Sequence, residues 1–91
     1  MDEYLTINFD NYPVRFTFDG KVSVIDVIKA VSDSNHPFPI WEKLITEHPE
    51  VLMYCENYSF QKEESLPVVG GKGWEKILKF LPYYVLRQGL I

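Results

Sequence analysis

Between Asp10 and Ser32 the spacing of apolar side chains changes period, and that change constrains the fold more than any other feature of the chain. Upstream, Tyr4-Leu5-Thr6-Ile7-Asn8-Phe9 and Val14-Arg15-Phe16-Thr17-Phe18 alternate apolar with polar residues, the two-residue repeat of half-buried strands. Asp10-Asn11-Tyr12-Pro13 separates the two runs as a turn. Asp19-Gly20 supplies the positive φ of a second tight turn, so Lys21-Val22-Ser23-Val24 is predicted to return as a third, short strand. From there Ile25, Ile28 and Val31 recur at helical spacing, and Ser23 with Asp26 three residues on forms a capping box with a shortened acid. A β-meander running directly into a helix over about residues 24–32 is the expectation.

Ser32-Asp33-Ser34-Asn35-His36-Pro37, a cluster of turn formers, stops that helix. A second helix is expected from near Pro39, where a missing N–H is harmless, to Glu47 or His48 before Pro49. Trp41, Leu44 and Ile45 fall on one face of it and Glu42, Lys43 and Glu47 on the other. Residues 51–60 are rich in β-formers without a clean apolar set, which predicts a strand exposed on part of both faces. Leu66-Pro67-Val68-Val69 reads as an edge strand, since Pro67 cannot donate to a central ladder. Gly70-Gly71-Lys72-Gly73 then turns into a third helix over residues 74–81, with Trp74 in the core; Pro82 ends or kinks it and residues 83–88 add a turn or two. The fold class expected is α+β: a small antiparallel sheet, made of the N-terminal β-meander and later strands, packed by three to four short helices.

Size and composition enter at this point. The 91 residues form a single domain over 1–91, because two cores of ~45 residues would each be marginal. A hydrophobic content of 46%, with 15% aromatic residues, opposes disorder. Cys55 is the one cysteine, so no disulfide can form within the chain, and the start Met1-Asp2-Glu3-Tyr4 is acidic where a secretory leader is basic. The longest apolar stretch, residues 80–86, is interrupted by Pro82 and too short for a bilayer. A cytoplasmic protein without membrane association is expected.

Few residues offer chemistry. Cys55, His36 and His48 stand at spacings that match no Cys-x-x-Cys, His-x-x-x-His or Glu-x-x-His motif, so no metal and no cofactor is expected. A Cys55–His48 nucleophile pair would lack an identifiable orienting group, and no catalytic residue is assigned; a non-enzymatic protein is expected. The Gly70-Gly71-Lys72-Gly73 turn admits two readings, a tight strand-to-helix connection or a phosphate-contacting turn, but lacks the Walker and Rossmann spacings. Charge is divided unevenly along the chain. Residues 1–60 hold ten acids and four bases, for −6, and residues 61–91 three acids and five bases, for +2, which sum to the net −4. Lys72, Lys76 and Lys79 recur at helical spacing as a basic stripe that Arg87 and Lys62 would extend. The alternative is a solvated helix face supported by a Glu75–Lys79 pair.

The order of these motifs resembles the Bro-N domains of baculoviral repeated-ORF proteins and phage antirepressors, relatives of KilA-N domains. The resemblance lies in Lys21-Val22-Ser23-Val24-Ile25-Asp26-Val27-Ile28-Lys29-Ala30-Val31, in Glu47-His48-Pro49-Glu50 closing a helix, and in Leu66-Pro67-Val68-Val69 leading to a helix ending Phe80-Leu81-Pro82. The family's first-helix segment often reads Phe-Val-Ala-x-Asp-Val-Ala-x-Ala-Leu, which Asp26 to Val31 matches, and the resemblance covers about residues 14 to 88. Ser32 stands where the family has glycine, and the glycine turn replaces a more usual acidic one. The resemblance implies a DNA-binding or transcription-regulatory module of phage type, with Lys72, Lys76, Lys79 and Arg87 as phosphate contacts. The competing expectation is a protein-interaction module or homodimer, because Trp41, Tyr54, Tyr58, Tyr83 and Tyr84, with Phe38 and Ile40, exceed what so small a core buries. The edge of the strand over residues 51–60 would be open to pairing across a two-fold axis.

Overall fold

The computed structural model describes residues 4–33, 35–62 and 64–89, the last three as backbone only. Strands β1 (Leu5–Phe9), β2 (Tyr12–Phe16) and β3 (Val22–Ser23) form the expected meander. Asp10 and Asn11 both take positive φ, 50° and 76°, and Phe9 pairs with Tyr12, so the first turn is the two-residue type that matches strand twist. The second turn is wider than expected. Thr17 N–H donates to the Lys21 carbonyl at 2.8 Å and Gly20 sits at φ 92°, which leaves Phe18 in the turn and exposed.

Helix α1 (Val24–Ser32) starts on Ser23, whose hydroxyl accepts the Asp26 N–H at 3.3 Å, and stops at Asp33 in the left-handed region. Helix α2 (Pro37–Glu47) begins two residues before the expected Pro39, because Pro37 and Pro39 both fall in the first turn, where no intrahelical N–H is required. Trp41 and Leu44 are buried, and Glu42, Lys43 and Glu47 exposed, as the amphipathic pattern requires.

Three expectations are corrected. Residues 51–60 are not one strand. Pro49–Tyr54 is a 3₁₀ helix that seats Val51 in the core and leaves Met53 exposed, and only β4 (Cys55–Tyr58) is extended. Strand β5 (Leu66–Val69) is not an edge, for the sheet order is β1-β2-β3-β5-β4. Pro67 is tolerated because the two-residue β3 pairs only with Val68 and Val69, so Pro67 has β4 alone beside it. Helix α3 (Gly71–Gly89) starts inside the glycine run and continues through Pro82. Proline removes the hydrogen bond to the Leu78 carbonyl, but Leu78 and Pro82 both lie on the exposed side, while Ile77, Leu81 and Tyr84 anchor the buried side across the gap. The result is α+β: among the described residues, one five-stranded antiparallel sheet with three α-helices and a 3₁₀ helix around a core of Ile25, Ile28, Ile40, Trp41, Leu44, Val51, Phe60, Val68, Ile77 and Leu81 among others. No helix among the described residues is long and apolar enough to cross a membrane.

Candidate functional site

Register places Leu5, Ile7 and Phe9 of β1 opposite Phe16, Val14 and Tyr12, so these side chains share one face of the sheet. Helix α1 covers only the inner part of that face. Val14 is 1% exposed, whereas Leu5, Ile7 and Phe9 are each about half exposed. The outcome is an open groove of about 670 Å³ lined by Phe9, Asp10, Val14, Phe16, Val22, Val27, Ala30, Val31 and Trp74.

Helix α3 extends the groove. At 100° per residue its buried side carries Gly73, Ile77, Leu81 and Tyr84, and Trp74, Leu78, Pro82, Val85 and Leu86 fall on a second apolar side. That second side, with Val31 and Leu81, lines a further hollow of about 280 Å³. Val31 and Trp74 line both hollows, so the two adjoin at these side chains and present one apolar surface, here termed the channel, from the end of β1 over α1 and along α3. Asp10 is its one charged lining residue among those described. Trp74 is therefore a half-buried channel wall and not the core residue expected.

The basic stripe is real as geometry. Lys72, Lys76 and Lys79 are exposed on one side of α3 and take part in no ion pair among the described residues; the expected Glu75–Lys79 pair is not formed. Acids border the stripe. Lys76 and Lys79 share a hollow with Glu50 and Tyr54, and Lys79 a second with Glu47, His48 and Tyr83. The Arg87 side chain lies outside the described residues, and Lys62 is exposed in the link before β5.

The glycine turn is explained by packing at one position. A Cβ on Gly73 would lie 2.8 Å from Tyr54 Cβ and 3.0 Å from Val69 Cβ, so only glycine lets α3 approach the sheet here. Gly70 and Gly71 face open space.

Of the aromatic residues expected at an interface, Trp41 and Tyr84 are core side chains, 5% and 4% exposed. Trp41 is held there by the amphipathic register of α2, and Tyr84 by its position on the buried side of α3, where its hydroxyl donates to Glu47. Ile40 is buried likewise, and Tyr58 is half-buried with its ring tilted on Phe60. Tyr54 and Tyr83 are exposed but lie on the lysine side of α3, away from the channel lining.

Two polar features were not anticipated from sequence. Arg15 forms a two-pronged pair with Asp26, Nε to Oδ2 at 2.8 Å and Nη2 to Oδ1 at 2.9 Å, while Nη1 reaches Glu64 at 2.9 Å and the guanidinium lies 5.0 Å from the Phe60 ring centre. Hydrogen bonding to Asp26 raises the Arg15 pKa above its ordinary value. Its donors are thus committed to the fold. His48, the C-cap of α2, stacks on Phe80 with ring centres 3.7 Å apart. Cys55 donates to the Val51 carbonyl, and burial pushes its thiol up to about 11, so it is a poor nucleophile near neutrality. No group of three or more metal-ligating side chains occurs among the described residues.

Compared with known proteins, the chain matches no family model, no curated protein and no solved structure.

Proposed function

We propose that this chain is a protein-interaction module whose docking site is the apolar channel between β1, α1 and α3. One observation carries the reading: half-exposed apolar residues from three elements line two adjoining depressions with a single charge in their lining among the described residues. Apolar surface contiguous on this scale marks interaction sites on soluble domains. Each large apolar side chain that a partner inserts gains about 1.5–3 kcal/mol of burial, and after ordering costs two or three such anchors suffice for a reversible complex. A cytosolic setting, inferred from the lone Cys55, is part of the same proposal.

The test is site-specific photo-crosslinking in cells, with a photoreactive phenylalanine analogue placed singly at Val31, at Leu86, or at Lys43 on the outer side of α2. Discrete protein adducts are expected from the two channel positions and none from Lys43. No adduct from Val31 and Leu86, or one common pattern from all three, overturns the reading.

A second reading, DNA or another polyanion held by Lys72, Lys76 and Lys79, follows the Bro-N resemblance and is favoured by the exposure of all three ammonium groups on one helix side. The flanking Glu47 and Glu50 weaken the local field, which ranks it below the channel.

A further inference from the structure

Resting on the docking reading above, we propose that the partner at the β1 margin of the channel is a second copy of this chain, with β1 paired antiparallel to its counterpart about a two-fold axis through Ile7. The turn geometry fixes which backbone groups of β1 are available. Phe9 and Tyr12 close a two-residue turn with positive φ at Asp10 and Asn11, so they form a hydrogen-bonded pair, and the alternation of antiparallel ladders makes Ile7 and Leu5 bonded positions as well. Thr6 and Asn8 consequently direct their N–H and C=O groups to the open edge. Arg15, the partner of Thr6, confirms the parity: its N–H points away from β1 and is taken by Asp26 Oδ2 at 3.0 Å.

Pairing about Ile7 uses those free groups. Thr6 of one copy meets Asn8 of the other and they exchange both backbone hydrogen bonds, twice across the axis. Leu5 then faces Phe9 and Ile7 faces Ile7, so apolar meets apolar, and the paired segment carries no charge. The strand's pattern is symmetric about its centre, and no other register matches all five of its positions. The axis stands perpendicular to the sheet, which leaves both apolar faces on the same side and joins the two channels. Strand β1 has none of the devices that protect edges, being free of charge, proline and bulge over Leu5–Phe9. The opposite edge, β4, carries a charged side chain, Glu56, paired with Lys21, a device that discourages edge-to-edge pairing.

The experiment combines sedimentation equilibrium of the full chain with amide hydrogen exchange, across two decades of concentration up to about 1 mM. A monomer–dimer equilibrium is expected, with protection of the Thr6 and Asn8 amides rising in step with the dimer fraction and the Ile7 amide protected throughout. Ile7→Lys sets two ammonium groups face to face and is expected to weaken dimerisation roughly tenfold or more, while Met53→Lys leaves it unchanged. The exchange measurement needs no substitution, so a misfolded variant would not decide the matter. A strict monomer, or a dimer whose Thr6 and Asn8 amides exchange as fast as in the monomer, overturns the proposal. If adducts at Val31 persist with a protein of another mass while the purified chain stays monomeric, the docking reading stands and self-pairing alone falls.

Discussion

At the scale of single residues, Asp26 is the side chain on which most of the local order depends. It caps no helix of its own. Its two oxygens accept from Arg15 Nε, Nη2 and backbone N–H, tying β2 to the first turn of α1 with side chains only 16% and 10% exposed. Breaking a largely buried pair leaves the surviving charge unpaired, so Asp26→Ala is expected to destabilise by about 3 kcal/mol. Glu64, on the outer prong and 34% exposed, should contribute under about 1 kcal/mol when replaced by alanine. Urea unfolding of the two variants checks the ratio; equal losses would mean that Arg15 is not held mainly by Asp26. Cys55 gives a second residue-scale prediction. The fold favours its neutral thiol, with a pKa of about 11 against 9.0 for a free thiol, so its contribution to stability is complete below pH 9 and is lost as pH rises from 9 through 11. At pH 8 the native thiolate fraction is roughly a hundredfold below that of the unfolded chain, and modification by an aromatic disulfide reagent should be slower in about that proportion. Equal rates in native and unfolded protein would contradict it.

At the scale of elements, signals local to one segment are legible in the sequence and those that depend on a neighbouring element are not. The meander, the Ser23 cap and the bounds of α1 depend on residues within one or two turns of chain, and they are legible. The β-forming composition of residues 51–60 misled because Val51 is buried against helices, and Pro49 starts a 3₁₀ turn that serves this better than a strand. Pro67 suggested an edge because nothing in the sequence tells that β3 is two residues long and stops short of it. Gly73 reads as a turn residue until Tyr54 and Val69 are seen against it. Pro82 reads as a stop, yet α3 passes through it, held by Ile77 and Leu81 before it and Tyr84 after it. Since the ring lies on the exposed side, Pro82→Ala restores one intrahelical hydrogen bond without opening a core cavity. It should stabilise the protein by about 1–3 kcal/mol, seen as a higher Tm with the denaturant m-value unchanged. A loss of stability would show instead that the apolar side of α3 needs the proline ring.

At the scale of the whole molecule, the candidate site could not be read from the chain because its walls come from residues far apart in sequence. Phe9, Val27 and Trp74 meet only once the sheet order brings β2 and β3 under α1 and sets α3 beside it. The sequence signal available was the second apolar side of α3, with Leu78, Val85 and Leu86 lying outside the stripe that Ile77, Leu81 and Tyr84 need. The lysine stripe was legible because it is local to one helix, and the fold adds what sequence could not, the acids that flank it. Channel and stripe occupy different sides of α3, so the two readings of function separate cleanly. On the second reading, three phosphate contacts would release few counterions and so give duplex DNA a log K against log salt slope near −3 and micromolar affinity or weaker. Changing Lys72, Lys76 and Lys79 together to glutamate should abolish that binding while leaving adducts at Val31 and the oligomeric state untouched. Titration of labelled duplex at about 50 mM salt, run beside sedimentation of the same triple variant, measures both. Binding that survives the triple variant would remove the lysines from the DNA reading, and a dimer lost with them would place the interface on the basic side of α3 and away from β1.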